Sequence, residues 1–199
     1  VIAFGIVFFS FFGLGLPICS MRMACRNRVK NAPEMTDESI LHPRVAETLD
    51  RLEIPYEVLA CAPELADTAA FCEHYGIEPE EACNAILVAM KTTPRQYVAC
   101  LVRSDTKLDV NYRVSDAINF KRLSFASSEE AAELTGMLIG GVTIVGLPPE
   151  IPILVDKLVM ERPTVILGGG NRSSKIRIDP RQLERLPNCR VIEIAVPRG

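Results

Sequence analysis

Two apolar runs, Ala85-Ile86-Leu87-Val88-Ala89-Met90 and Tyr97-Val98-Ala99-Cys100-Leu101-Val102, are each of strand length, and Thr92-Thr93-Pro94-Arg95 lies between them. That pattern predicts a β-hairpin with a loop slightly longer than the tightest type. Around it, short strand and helix signals alternate irregularly. Residues 43–52 carry Val45, Leu49 and Leu52 at i, i+4 and i+7, with Pro43 near the first turn, and read as a helix. A strand over Tyr56–Ala60 and a helix over Thr68–Tyr75 follow, the latter closed by Gly76 in a left-handed cap. Glu78-Pro79-Glu80-Glu81 reads as the start of a third short helix running into Asn84, its acids at the positive end of the helix dipole. Residues 108–118 read as helical in part, and Ser124-Phe125-Ala126 as a short strand. Ser127-Ser128-Glu129-Glu130 has the capping-box spacing, which predicts a helix to Leu134 that stops at Gly136. Four further strands are expected at 151–155, 164–167, 175–178 and 191–196, with a helix capped by Asp179 and begun at Pro180 between the last two. This order predicts a mixed sheet of the α+β class, a mixed α/β arrangement.

At 199 residues the chain suffices for one domain with a full core. Residues 1–18 are nearly uncharged, and Arg22, Arg26, Arg28 and Lys30 follow them. About 20 apolar residues are needed to cross a bilayer, and Pro17 ends this run early. A cleavable signal carries its basic residues before the apolar core, not after it. Met21, Met23 and Met35 each offer a later start. Residues 1–34 are therefore expected to lie outside the fold and 35–199 to form one domain, cytoplasmic in location. A membrane-anchored alternative rests wholly on the first thirty residues. Setting aside the four basic residues and Glu34 of that extension leaves 18 Lys+Arg against 24 Asp+Glu, a net charge of −6. So acidic a body does not bind along a nucleic-acid backbone, which requires many phosphates neutralised together, although a local patch can still hold one end. Seven cysteines without a C-x-x-C pair, and only His42 and His74, point to no structural metal site. Evenly spaced Cys61, Cys72 and Cys83 read as reduced buried thiols.

The stretch from Thr135 to Pro149 is apolar, interrupted by Gly136, Gly140, Gly141 and Gly146, and ends in a double proline. Glycine brings a ligand close to the main chain, and several amide donors exposed together suit a phosphate or the oxyanion of an attacked ester. As an isolated feature, Gly140-Gly141 reads first as a tight connection between buried segments. Gly168-Gly169-Gly170 before Asn171-Arg172 lacks the spacing of a nucleotide-binding P-loop.

From about residue 43 to 195 these pieces together resemble the YbaK family, free-standing relatives of the editing domain inserted in bacterial prolyl-tRNA synthetases. The resemblance rests on Ile54-Pro55-Tyr56-Glu57-Val58, Gly76-Ile77-Glu78-Pro79-Glu80, the hairpin from Ala85, Thr135-Gly136 with Gly140-Gly141-Val142-Thr143 and Gly146, Ile151-Pro152-Ile153-Leu154-Val155-Asp156, and Gly169-Gly170-Asn171-Arg172. It implies, for the fold, a mixed curved sheet with flanking helices. For function it implies hydrolysis of the ester joining a wrong amino acid to a tRNA 3′ end, without metal or cofactor, and admits an aminoacyl-tRNA synthetase as a further partner. By the same resemblance Asn84, Gly140, Gly141 and Thr143 form the catalytic set. Gly146, Asp156, Gly169, Gly170 and Arg172 contact the aminoacyl group, the terminal sugar or the CCA end.

Two positions depart from the family. Its characteristic lysine at the start of the hairpin falls on Asn84, whose amide hydrogen-bonds but carries no charge and moves no proton near neutral pH. Exchanging a charge-assisted contact for a neutral one forfeits about half its strength, roughly 1 kcal/mol or more, which is about a tenfold effect on rate or larger. An inactive module of the same fold that holds a tRNA end is the alternative reading. Ile144 stands where the family commonly has proline, which bears on pocket shape. From the residues alone, Asn84 reads equally as a strand-entry residue making local bonds. Cys83 without a histidine nearby reads as an inert thiol, and Asp156 as a turn cap. Arg172, Lys175 and Arg177 read as either a solvated strand face or a CCA-binding patch.

Overall fold

A computed structural model describes residues 41–198. The expected extension at 1–34 lies outside the described residues. Helix α1 (Pro43–Arg51) begins where predicted: Pro43 occupies its first turn, and His42 caps it by accepting the Arg44 amide. Its apolar stripe buries Val45 and Leu49 completely, about 1.5–3 kcal/mol for each side chain. Strand β1 (Tyr56–Ala60) follows, then helix α2 (Thr68–Tyr75). Asp67 caps α2 through the Ala69 and Ala70 amides, and Gly76 closes it at φ 63°.

The expected third helix at 78–84 is a turn. The Glu81 amide donates to the Glu78 carbonyl, and Ala82 already bridges to Ile166. The acids there complement no helix, because Ala82 and Cys83 must extend at once to reach their strand partners.

The hairpin is β2 (Cys83–Met90) and β3 (Gln96–Arg103), antiparallel, with Asn84 opposite Val102. After β4 (Thr106–Leu108), a π-helical turn and α3 (Ser115–Ala117), strand β5 (Leu123–Phe125) returns beside β2. Helix α4 (Ser128–Thr135) has the predicted capping box between Ser127 and Glu130, and Gly136 stops it at φ 71°. Beyond the glycine loop come β6 (Ile153–Asp156), α5 (Lys157–Met160), β7 (Val165–Gly168), β8 (Ser174–Ile178), a 3-10 helix from Pro180, β9 (Cys189–Ile192) and β10 (Ala195–Pro197).

The main sheet runs β5-β2-β3-β6-β9 and is mixed, since β6 lies parallel to both β3 and β9. A second sheet runs β1-β8-β7, antiparallel throughout. Strand alternation divides the core between the two faces of the main sheet. Leu87, Ala99, Leu101, Ile153 and Val155 pack with α1 and the second sheet, whereas Val88, Val98, Cys100, Val102 and Leu154 pack with Val110, Val114 and Ile194. A third cluster seats α2, through Phe71, Cys72 and Tyr75, on Leu59 and Ile166. This is the expected α+β architecture. No helix among the described residues is long and apolar enough to cross a membrane.

Candidate functional site

The start of β2, the segment entering α2, the glycine loop and the middle of the second sheet converge on a cleft of about 240 Å³. Asn84, Ala66, Asp67, Thr68, Gly140, Val142 and Lys175 line it. Asn84 is half-buried, and its side-chain amide makes no hydrogen bond to another described residue. Two neighbouring depressions share lining residues with the cleft. One, of about 660 Å³, continues past Asn84 and Asp67 to Glu73, Asp105 and Arg198. The other, of about 220 Å³, shares Ala85, Ile86, Gly140 and Val142 and reaches Phe125 and Ile139, both exposed.

The glycine loop presents fewer free donors than its sequence suggests. The Gly141 amide donates to the Leu138 carbonyl at 2.9 Å, and the Gly141 carbonyl accepts from Gly170 at 2.8 Å. By contrast, the amides of Gly140 and Val142 donate to no acceptor among the described residues, and both residues line the cleft. Gly140 holds φ at 91°, which a side chain would strain. Gly141 is constrained by proximity: a Cβ there would lie 1.8 Å from the Asn171 carbonyl oxygen.

The remaining predicted site residues brace this arrangement without lining the cleft. Thr143 is fully buried, and its hydroxyl faces the Val145 amide at 3.5 Å. Ile144, in place of the family proline, is buried in the main core. Gly146 packs against the Arg44 carbonyl of α1 and borders a different depression, with Arg51 and Pro148. Gly169 and Gly170 tie the second glycine loop to the His42 amide, Ser174 and the first glycine loop. Arg172 donates to the Pro63 carbonyl at 2.6 Å and to the Ile139 carbonyl at 2.9 Å, so its guanidinium bridges the two walls. Asp156 is wholly buried; its carboxylate accepts from Leu158, Ile194 and Ala195 amides at 2.7–2.9 Å, which caps α5 and anchors the approach to β10. The turn-cap reading of Asp156 describes this geometry, and a contact with the cleft does not.

Lys175 is the lining residue that sequence reasoning did not separate from its neighbours. A solvated face fits neither basic residue of β8: Arg177 pairs with Glu57, and Lys175 is only 5% exposed. Its ammonium donates to the Ala66 carbonyl at 2.7 Å and the Gly140 carbonyl at 3.0 Å, and it lies 5.5 Å from the centre of the Phe71 ring. Burial lowers its pKa from the ordinary value of 10.5, and the nearby Arg172 charge adds to that, against Asp67. The usable signal was position: β8 is the middle strand of its sheet, and its neighbours Ser174, Ile176 and Ile178 are all buried.

Burial raises the Cys83 thiol far above the usual range, which leaves it protonated and unreactive. Cys61, Cys72, Cys83, Cys100 and Cys189 are all unpaired thiols. Among the described residues no three His, Cys, Asp or Glu side chains are grouped as metal ligands would be.

Comparison with known proteins decides which family builds this cleft. The model of the aminoacyl-tRNA editing domain matches residues 62–186, a span that contains every cleft-lining residue. The chain belongs to that family. Its editing domain is of the YbaK type. A proline–tRNA ligase of Bacillus licheniformis is 36% identical over 92 residues, which is 46% of this chain and 15% of the ligase. The chain thus corresponds to a small part of that enzyme's length. In fold, the editing domain is similar to the crystal structure of hypothetical protein APE2540, with TM-score 0.70 and 24% identity over 77% of this chain and 99% of that one. It is similar also to a candidate trans-editing enzyme for prolyl tRNA synthetase, with TM-score 0.67 and 23% identity over 80% and 99% of the two chains.

Proposed function

We propose that the protein is a trans-editing deacylase that hydrolyses the ester of a mischarged tRNA, with residues 35–199 as the editing domain. The observation that carries this reading is the pair of unengaged amides, those of Gly140 and Val142, two residues that line the cleft together with Asn84. Two main-chain donors in a partly desolvated cleft suit the carbonyl oxygen of an ester as it becomes an oxyanion, and they need no reorganisation to do so. With Cys83 protonated, water is the nucleophile. It adds to the ester carbonyl, the carbon–oxygen bond to the ribose breaks, and the products are a free amino acid and a tRNA with both terminal hydroxyls restored. Among the side chains lining the cleft, Asn84 holds no proton to transfer, so its role is to orient that water or the ribose through its amide. The partner is the aminoacyl-tRNA 3′ end, with a synthetase as the source of mischarged substrate, and the compartment is the cytoplasm.

The test is a deacylation screen with the purified chain over tRNAs charged with Ala, Cys, Ser, Thr and Pro. Release of at least one amino acid above the spontaneous rate is expected, and no release across the panel defeats the reading. The neutral Asn84 favours a second reading, a module that binds the tRNA end without cleaving it. Measurable affinity with intact ester, together with activity gained by Asn84→Lys, would select it.

A further inference from the structure

Asn84 leaves its side of the cleft without a cation, and a cation is present on another wall. Lys175 reaches the same cleft from β8, and its burial is not explained by a counter-charge, because it forms no ion pair among the described residues. Its charged surroundings are Asp67 and Arg172, with the Cys61 and Cys72 thiols. Taking an ammonium out of water without a carboxylate partner costs several kcal/mol. Tying the walls together does not account for that cost. Arg172 already joins the same two segments, through Pro63 and Ile139, one residue or a few away from the Ala66 and Gly140 carbonyls that Lys175 holds. An ammonium has three donors and these carbonyls take two, so one N–H remains for a ligand in the cleft. By accepting from Lys175, the Gly140 carbonyl also fixes the loop in which Gly140 and Val142, both with unengaged amides, line the cleft.

We propose that Lys175 is the charged catalytic residue of this site, stabilising the negative charge that develops on the ester carbonyl oxygen from a different strand than the neutral Asn84. The proposal rests on the deacylase reading and deepens it. As water adds, the carbonyl electron pair moves onto oxygen, and the Lys175 ammonium and the two amides bind it there. The pair then returns, the ribose oxygen departs, and the proton released by water ends on that ribose oxygen. Lys175 keeps its proton throughout and acts by charge alone. A site of this design binds an ester group that is neutral in the ground state and stabilises it most strongly in the transition state, where the carbonyl oxygen becomes negative.

The experiment compares the full chain with Lys175→Met, Lys175→Arg and the double variant Asn84→Lys/Lys175→Met on one mischarged tRNA that the wild type deacylates. Met keeps the length and burial of the stem and removes the charge. Expected are a loss of about 100-fold or more in kcat with KM within about threefold for Met, the range seen when one oxyanion donor is removed. Partial activity should remain for Arg, and at least tenfold should return in the double variant, where the cation moves to position 84. A Lys175→Met protein that is folded and retains kcat within about threefold overturns the proposal, whereas a wild type that deacylates nothing overturns the deacylase reading first. A second measurement needs no variant: in the chain labelled with 13C-lysine, the Lys175 side-chain signal should shift on adding an adenosine that carries its amino acid through a non-hydrolysable 3′-amide. Saturating binding without such a shift also overturns the proposal, whatever the fate of the variants.

Discussion

At the scale of single residues, the glycine loop and the buried lysine show how little residue type alone says about role. Gly140 and Gly141 are adjacent and chemically identical, yet only Gly140 lines the cleft; Gly141 carries Asn171 against its α-carbon and spends its amide on Leu138. Gly141→Ala should therefore act through stability. A Cβ 1.8 Å from a carbonyl oxygen must push main chain apart, at about 1–3 kcal/mol or more, read as a lower urea midpoint. Lys175 permits a pH argument with a definite sign. Burial holds its folded pKa below 10.5, so between the folded and unfolded values the unfolded chain binds more protons and stability from this group rises with pH. Below that window the charged form is present in both states, and its burial is a fixed penalty. The stability deficit of wild type relative to Lys175→Met should thus shrink as pH climbs toward 10.5, measured by urea unfolding of both proteins. Activity should move the opposite way, because loss of the proton removes the cation: deacylation corrected for spontaneous hydrolysis should fall through the same window. Lys175→Arg should not show that fall, since its guanidinium stays charged.

At the scale of elements, what was legible in the sequence was whatever depends on neighbours along the chain. The hairpin, the capping box at Ser127, the left-handed stops at Gly76 and Gly136 and the Asp179-Pro180 start are all local rules, and all appear where their residues predicted. Residues 78–84 were misread for the converse reason. Their acids fit a helix start, but pairing of Ala82 and β2 with distant strands decided the conformation. Asp156 belongs to the same lesson. Its position at a strand end was visible, but its three amide partners come from α5 and from the approach to β10, some 38 residues away. Asp156→Ala leaves the buried Ile194 and Ala195 donors and the partly buried Leu158 donor unsatisfied, at about 1–3 kcal/mol for each buried one, so severe destabilisation or failure to fold is expected. The milder Asp156→Asn should lower the urea midpoint clearly while kcat/KM of the folded fraction stays within about threefold. A large loss of kcat/KM in a fully folded Asp156→Asn protein would restore this residue to the substrate.

At the scale of the whole molecule, the cleft exists because two sheets and two loops meet, and no sequence window contains that meeting. Asn84 and Lys175 are 91 positions apart, and a glycine loop between them in sequence closes the gap in space. The global charge, by contrast, was countable from the start and, on the proposed deacylase reading, limits how a tRNA can approach. With residues 35–199 at −6, the electrostatic field opposes a polyanion, so affinity must come from the few groups near the 3′ end. Around the cleft the charges are uneven. Among the described residues, Asp67, Glu73 and Asp105 line the larger depression with Arg198 as the one cation, whereas none of those lining the depression toward Phe125 and Ile139 is charged. An incoming phosphate chain meets less repulsion on the Phe125 side, where the exposed ring also offers a face for a base to stack on. Base–aromatic stacking is worth about 1–3 kcal/mol, so Phe125→Ala should weaken tRNA binding by about fivefold or more while leaving the urea midpoint nearly unchanged, the residue being 60% exposed. The same reasoning sets the salt response. Each neutralised phosphate contributes a slope of about −0.7 to log K against log salt for a single strand. A protein that grips only the terminus should then show a shallow slope, about −2 or less steep. Filter-binding titrations from about 50 to 200 mM salt measure it; a slope as steep as the −5 or beyond expected of a backbone-tracking protein would mean that the tRNA body, and not its aminoacylated end, is what this molecule holds.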